Sequence, residues 1–250
     1  MRKKLFCVLL TVLIGGLWLV AAAQASEVTD ELDALWAKRG GSGQTGRQGL
    51  ALAEKAFAEQ PGYDIAWRAS RACFWICDRT ENGKIDSEFG LKGKQWGEKA
   101  VELNPNGVEG HYFLTICLGE YGKGIGIARA LFRGVGGQFE KHGEKAVAIN
   151  AAYDNAGPLR GMGRYWQKLP ALKRDLDKAA QYYKRAVTTA PCMIRTYFYL
   201  LEVYIDEEKW DDARATAQQG LNVPGCPGQA WESNHYRQKI QALTPQIPAP

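Results

Sequence analysis

The sequence predicts an all-α solenoid of about five helical hairpins, closed by a C-terminal capping helix. Three observations carry this reading. A helical motif with a thin, small-residue face recurs: Gly49, Ala53, Ala56 and Pro61; then Gly93, Gly97, Ala100 and Pro105; then Phe139, Gly143, Ala146 and Ala151; then Ala179, Tyr183, Ala186 and Pro191. Ala213, Ala217, Gly220 and Gly225 form a fifth, weaker copy. The motif positions Ala56, Ala100, Ala146, Ala186 and Gly220 stand 44, 46, 40 and 34 residues apart, so the repeat length varies while the motif is kept. No alternating run rich in Val, Ile and Thr suggests a strand. Small residues let neighbouring helices approach closely, and one hairpin cannot bury its apolar stripe alone, so several must stack.

Taken in order, the chain opens on a basic trio, Arg2, Lys3 and Lys4, followed by an apolar run from Leu5 to Val20 and a small-residue site at Ala23 and Ala25. This reads as a secretory signal over 1–25, with Ser26 as the mature start. The apolar run is short for a membrane span of about 20 residues, and Cys7 lies too early in it to be an acylation site. Export predicts a periplasmic protein, touching a membrane only through the signal if that stays uncleaved. Loss of the three cations takes the formal charge from +5 to +2, so the basic balance gives no reason to invoke nucleic acid.

Residues 26–243 read as a single helical domain and 244–250 as a flexible tail with three prolines. A short helix capped by Thr29 or Asp30 precedes the first motif helix, 45–60. Pro61 and Gly62 end that helix, and Asp64 starts an inner helix over 64–77. The polar stretch Asp78 to Asp86 reads as a loop before the second motif helix, 88–103. A further inner helix covers 108–118. Seven glycines between 119 and 137 then break the rhythm around a short helix, 125–132. The third motif helix covers 138–149, an inner helix 156–166, and the fourth motif helix 176–190. Tyr197, Leu200, Leu201, Tyr204, Trp210, Ala213, Ala217 and Gly220 fall where a 34-residue helix–turn–helix repeat places them. A helix over 229–243 closes the array.

The last positions resemble the tetratricopeptide repeat (TPR) family, clearly over 176–228 and in degenerate form over 45–175. A narrower resemblance rests on the glycine-rich insert from Gly119, on Glu144, Lys145, Ala146, Val147 and Asn150, on Gly157, Pro158, Leu159, Arg160, Gly163, Arg164 and Tyr165, and on Leu169 and Pro170. These look like the TatT family, which implies a periplasmic helical component associated with tripartite ATP-independent periplasmic (TRAP) transporters. Members of that family are lipoproteins, and this signal departs from them by lacking the acylated cysteine. A fainter resemblance links the repeats to eukaryotic microtubule-regulator proteins, against which the export signal argues.

Motifs of catalysis are missing. His111, His142 and His235 stand in no metal-ligand spacing, there is no GxSxG, and no Gly-Lys pair precedes Ser or Thr. No enzymatic activity, cofactor or metal is therefore expected. Asp78, Asn82, Gly83 and Asp86 partly imitate a calcium loop, but Phe89 replaces the bidentate Glu, which favours a solvated turn. Cys73, Cys77 and Cys117 fall on inner helices as packing residues. Cys192 opens an inner helix and Cys226 follows its paired outer helix. The two ends of an antiparallel hairpin meet, so these two are the disulfide candidate.

Inner helices line the concave face of a solenoid. Trp67, Arg71, His111, Arg160, Arg164 and Tyr197 are accordingly the candidate binding set, with aromatics and guanidiniums that suit a peptide or a carboxylate. The competing assignment pairs Arg160 and Arg164 with glutamates between repeats. The expected function is a periplasmic scaffold binding another protein, such as a solute-binding transporter component. The alternative is a carrier whose curled solenoid encloses a small hydrophobic or carboxylate ligand.

Overall fold

The computed structural model describes residues 26–40 and 42–249, and the predicted signal peptide lies outside them. Among the described residues there are helices and no strands. They are α1 (26–37), α2 (Gln44–Glu59), α3 (Tyr63–Asp78), α4 (Gly83–Leu103), α5 (Val108–Ile125), α6 (Ile127–Phe132), α7 (Val135–Asn150), α8 (Tyr153–Lys168), α9 (Leu176–Thr189), α10 (Ile194–Asp206), α11 (Trp210–Asn222) and α12 (Ala230–Leu243). The pairs α1–α2, α3–α4, α5–α7, α8–α9 and α10–α11 are the five hairpins, and α12 caps them. This is the TPR-like solenoid that the motif spacing predicts. No helix among the described residues is long and apolar enough to cross a membrane.

The motif alanines form the seam between hairpins. Ala53, Ala100, Ala179, Ala186 and Ala213 have no exposed surface, and Ala146 has 1%. Three apolar clusters run along the array: one beneath α1 to α5, one in the middle around Leu114, Leu159 and Met162, and one around Phe198, Leu201 and Ile240. Burying such side chains contributes about 1.5–3 kcal/mol each.

Two boundaries differ from the sequence reading for one reason. Helix α4 starts at Gly83 instead of 88, and α5 runs on to Ile125 instead of ending at 118. The glycines at 119, 122 and 124 lie inside α5, where they would ordinarily weaken a helix. Gly119 lies against Phe139 and Gly122 against Ala130 and Val135, while Gly124 lets α4 and α5 pack almost backbone to backbone. A Cβ on Gly90 would lie 2.4 Å from the Tyr121 nitrogen, and one on Gly124 2.2 Å from the Ser87 nitrogen. Gly126, at φ 89°, then ends the helix.

The imitation calcium loop is a loop only over 79–82, with helix on both sides. Asn82 caps α4, its side-chain oxygen accepting from the Lys84 amide at 3.0 Å. Asp86 is buried within α4, and Asp78 is the last residue of α3. The tail differs too: Thr244–Gln246 form a 3₁₀ turn, Ile247 packs on the C-terminal cluster, and the Pro248 carbonyl accepts from Arg214 at 2.8 Å.

Helix α8 opens on three consecutive left-handed residues: Asp154 (φ 47°), Asn155 (φ 52°) and Ala156 (φ 62°). Each costs about 1–2 kcal/mol for a residue with a Cβ. Two bonds hold the turn. The Tyr112 hydroxyl donates to Asp154 at 2.9 Å, and Arg160 donates to the Asn155 carbonyl at 2.8 Å. Pro158 therefore sits in the first right-handed turn, where it takes no hydrogen bond from the helix.

Candidate functional site

The inner helices α3, α5, α8, α10 and α12 surround a cavity of about 730 Å3, with α6 and the start of α7 along one rim. Part of the lining is apolar and comes from Phe74, Ile116, Leu131, Val135 and Phe139. The lining also carries cations: Arg160, Arg164, Lys168, Arg195 and Lys239. Asp78, Asp86 and Glu120 make an acidic corner between them.

The cavity exists because the superhelix curls until its ends touch. Trp75 of α3 meets Trp231 of α12 edge to face, with ring centres 6.3 Å apart. The Arg79 guanidinium lies over both rings, 4.4 Å from Trp75 and 4.2 Å from Trp231. Arg195 of α10 ties the same two helices together. Its Nη2 stands 3.0 Å from Asp78 and its Nε 2.7 Å from Glu232. Arg79 also pairs with Asp78. Burial alone would push the Asp78 carboxyl up, but Arg195 and Arg79 together hold it at about 2. We call this set the latch.

The rest of the acidic corner, Asp86 and Glu120, shares a single ammonium. Lys123 stands 3.3 Å from Asp86 and 2.5 Å from Glu120. Burial raises both carboxyls above their ordinary values despite it. Asp86 Oδ1 has no hydrogen-bond partner among the described residues.

Of the six predicted binding residues, the structure brings two to the cavity. Arg164 lines it, 4.2 Å over the Tyr199 ring, and pairs with Glu202, so the inter-repeat ion pair and the groove position are both realised. Arg160 lines it while its guanidinium is spent on backbone carbonyls instead of a glutamate. The other four do not line it and make packing contacts instead. Trp67 stacks on Phe113, with centres 5.7 Å apart. Arg71 is fixed by Asp33 at 2.7 Å and by the Leu32 carbonyl, so α1 covers that end of the concave face. Tyr197 donates to the Pro191 carbonyl and packs against Gly220.

His111 faces His142 instead of the cavity, their Nδ1 atoms 2.9 Å apart. Its Nε2 is 3.0 Å from the Pro105 carbonyl and so carries the proton. Its Nδ1 then accepts, and His142 donates. The gap between the two Nδ1 atoms has room for one proton only. Burial first, then His111, lowers His142 to about 4.

Sequence reasoning missed Asp78, Arg79, Arg195, Tyr199, Tyr236 and Lys239. A signal existed for two of them: Arg195 and Tyr199 are four apart and flank Tyr197, so they share one helix face. The others face the cavity only because α12 returns to α3, which repeat spacing does not encode. Cys192 and Cys226 are joined by a disulfide, with Cα atoms 4.8 Å apart. Cys73, Cys77 and Cys117 are buried free thiols, pushed well above the ordinary range by burial.

The chain has relatives among known proteins. The family model described as regulator of microtubule dynamics protein 1-3 matches residues 28–226. Regulator of microtubule dynamics protein 3 of Bos taurus is 29% identical over 126 residues, 50% of this chain and 26% of that protein. The chain thus spans about a quarter of this relative's length. A solved thermophilic TPR protein of Thermus thermophilus superposes with a TM-score of 0.63 at 17% identity, over 86% of this chain and 98% of that one. A crystal structure of MamA gives 0.49 at 15% identity, over 72% and 89%. The match is therefore to the family whose resemblance is fainter in the sequence, and not to the TatT family.

Proposed function

The chain belongs to the regulator of microtubule dynamics protein 1-3 family, and from this and its geometry we propose that it is a non-catalytic scaffold that binds a partner protein in its central cavity. The observation that carries the proposal is the mixed lining: apolar side chains from α5 to α7 share the cavity with cations from α8, α10 and α12. A partner segment bearing one apolar side chain and one carboxylate would satisfy both at once. What the bovine relative's name says of microtubule dynamics comes over only as protein binding, since about a quarter of that protein is matched.

The finer reading names the partner as a periplasmic solute-binding component of a TRAP transporter. It rests on the export signal read from residues 1–25 and on the motifs around Glu144 and Gly157. Photo-crosslinking from a probe at Tyr199, in the native host, tests both levels. A crosslinked protein lost in the Lys239→Glu, Arg164→Glu variant supports the scaffold, and its identity decides the finer reading. Crosslinks that ignore both charge reversals overturn the cavity as the docking site.

The latch favours a second reading, a small-ligand carrier, because it closes the ring that an extended peptide would have to thread. Native mass spectrometry separates the two. A retained small molecule that disappears in Arg160→Ala supports the carrier, whereas a bare chain with a co-purifying protein supports the scaffold.

A further inference from the structure

Two large apolar side chains stand fully in water, Phe132 at 94% and Leu172 at 101% of their free exposure. Phe132 ends α6, in the connection from α5 to α7. Leu172 lies in the connection from α8 to α9. Both connections follow an inner helix, in consecutive hairpins. Inner helices of a solenoid run in one direction, so both tips emerge on the same edge. The packing agrees: a Cβ on Gly136 would lie 2.8 Å from Leu131 Cδ2 and 3.3 Å from Tyr165 Oη, which brings the end of α6 against the end of α8.

The charge of the two stretches that carry these tips, 121–139 and 161–174, has one sign. Between Glu120 and Glu140 the only charged residues are Lys123, Arg129 and Arg133. Between Arg160 and Asp175 they are Arg164, Lys168, Lys173 and Arg174. Lys123, Arg164, Lys168 and Arg174 have carboxylate partners. Arg129, Arg133 and Lys173 are exposed, and the ion pairs among the described residues include none of them.

We propose that this edge docks on an anionic bilayer surface, with Phe132 and Leu172 entering the interface and Arg129, Arg133 and Lys173 meeting lipid headgroups. Isolated apolar tips flanked by cations fit a bilayer interface, where each side chain is buried independently. A protein partner would need one contiguous, packed patch of roughly 800 Å2, and two separate tips do not make one. The site is distinct from the cavity and adds a route to a membrane besides the amino-terminal segment.

The test uses the full chain carrying Cys7→Ser. Phe132→Cys or Leu172→Cys is added and labelled with nitrobenzoxadiazole, a dye that reports polarity. The remaining described cysteines are buried or disulfide-bonded. The dye is expected to move to a blue-shifted emission on vesicles of phosphatidylcholine with phosphatidylserine, and not on phosphatidylcholine alone. Replacing Arg129, Arg133 and Lys173 by Gln should weaken the response about fivefold per charge, the equivalent of about 1 kcal/mol each. Because the readout is local, attachment through residues 5–20 does not mimic it. Emission that stays water-like on the anionic vesicles overturns the proposal. So does an equal shift on both vesicle types, or a shift produced by polyglutamate and not by vesicles, which would point to an acidic protein.

Discussion

Arg195 should be the residue on which closure of the solenoid depends most. It is 7% exposed and serves two carboxylates, Asp78 at 3.0 Å and Glu232 at 2.7 Å. Removing one partner of a buried ion pair costs about 3–5 kcal/mol, because the other charge is left uncompensated. Arg79 still faces Asp78, so Arg195→Ala should fall at the low end, about 3 kcal/mol. That equals a loss of about 6–12 °C in Tm for a chain of this size. The pH dependence has a definite sign. In the native protein Asp78 titrates at about 2 against an ordinary 3.8. Its charged form thus contributes about 2 kcal/mol. That contribution is complete above about pH 4 and is lost as pH falls through 2. Without Arg195, burial dominates and raises the carboxyl. The variant's deficit should then narrow on acidification, as Asp78 takes up a proton. Thermal unfolding of both proteins between pH 4 and pH 8 reads this directly. A loss below about 1 kcal/mol, or a deficit independent of pH, would refute the latch as described. The triple variant Asp78→Asn, Arg195→Met, Glu232→Gln should recover most of the stability, since buried ion pairs are often replaceable as a set.

Further predictions concern the rest of the array. Cys192→Ser should destabilise by about 4 kcal/mol, from the loop entropy of a cross-link spanning 34 residues, and chemical denaturation with and without reductant should show it. His142, held near 4 against 6.5, makes stability complete above about pH 6.5 and partly lost as pH falls toward 4. Discounted for its partial exposure, the loss is about 1–2 kcal/mol, and His142→Asn should remove this share of the slope. Gly124→Ala should cost about 1–3 kcal/mol, because its Cβ meets the Ser87 backbone at 2.2 Å. Gly161→Ala, whose nearest neighbour is 3.9 Å away, should instead raise the melting temperature by strengthening α8.

The glycines show what the sequence could and could not tell. Gly49 with Gly93, and Gly97 with Gly143, are legible because each pair repeats one place on an outer helix, and periodicity marks a packed seam. Gly119, Gly122 and Gly124 have no copy elsewhere. As a bare cluster they read as a connector, and only their contacts, Gly124 with α4 and Gly119 and Gly122 with α6 and α7, show why α5 can continue through them. The same limit governs the site. Arg164 was legible because its charge on an apolar inner helix needed a partner. Arg71 met the same criterion yet serves α1, because a helix outside the motif pattern covers that end of the groove. Asp78 read as part of a solvated turn, because its partner Arg195 lies 117 residues away in sequence.

Closure of the ring also constrains how any occupant arrives. The latch combines one edge-to-face aromatic pair, a guanidinium between two rings and one two-armed arginine, all on the surface of a single capping helix. Helix α12 has neighbours on one side only, α10 and α11, besides these contacts. In a one-dimensional array, terminal units have the fewest stabilising interfaces and open first. The element that closes the cavity is thus the one least secured by the rest of the fold. A partner that needs the concave face can gain access by displacing α12 alone, at the cost of the latch and without unfolding the hairpins that line the cavity. If so, latch variants should lose stability but bind the partner faster, whereas variants of the cavity wall should lose binding at unchanged stability. Both effects are measurable on the same proteins. A latch variant that loses stability and leaves the association rate unchanged would show that the cavity is entered without opening the ring.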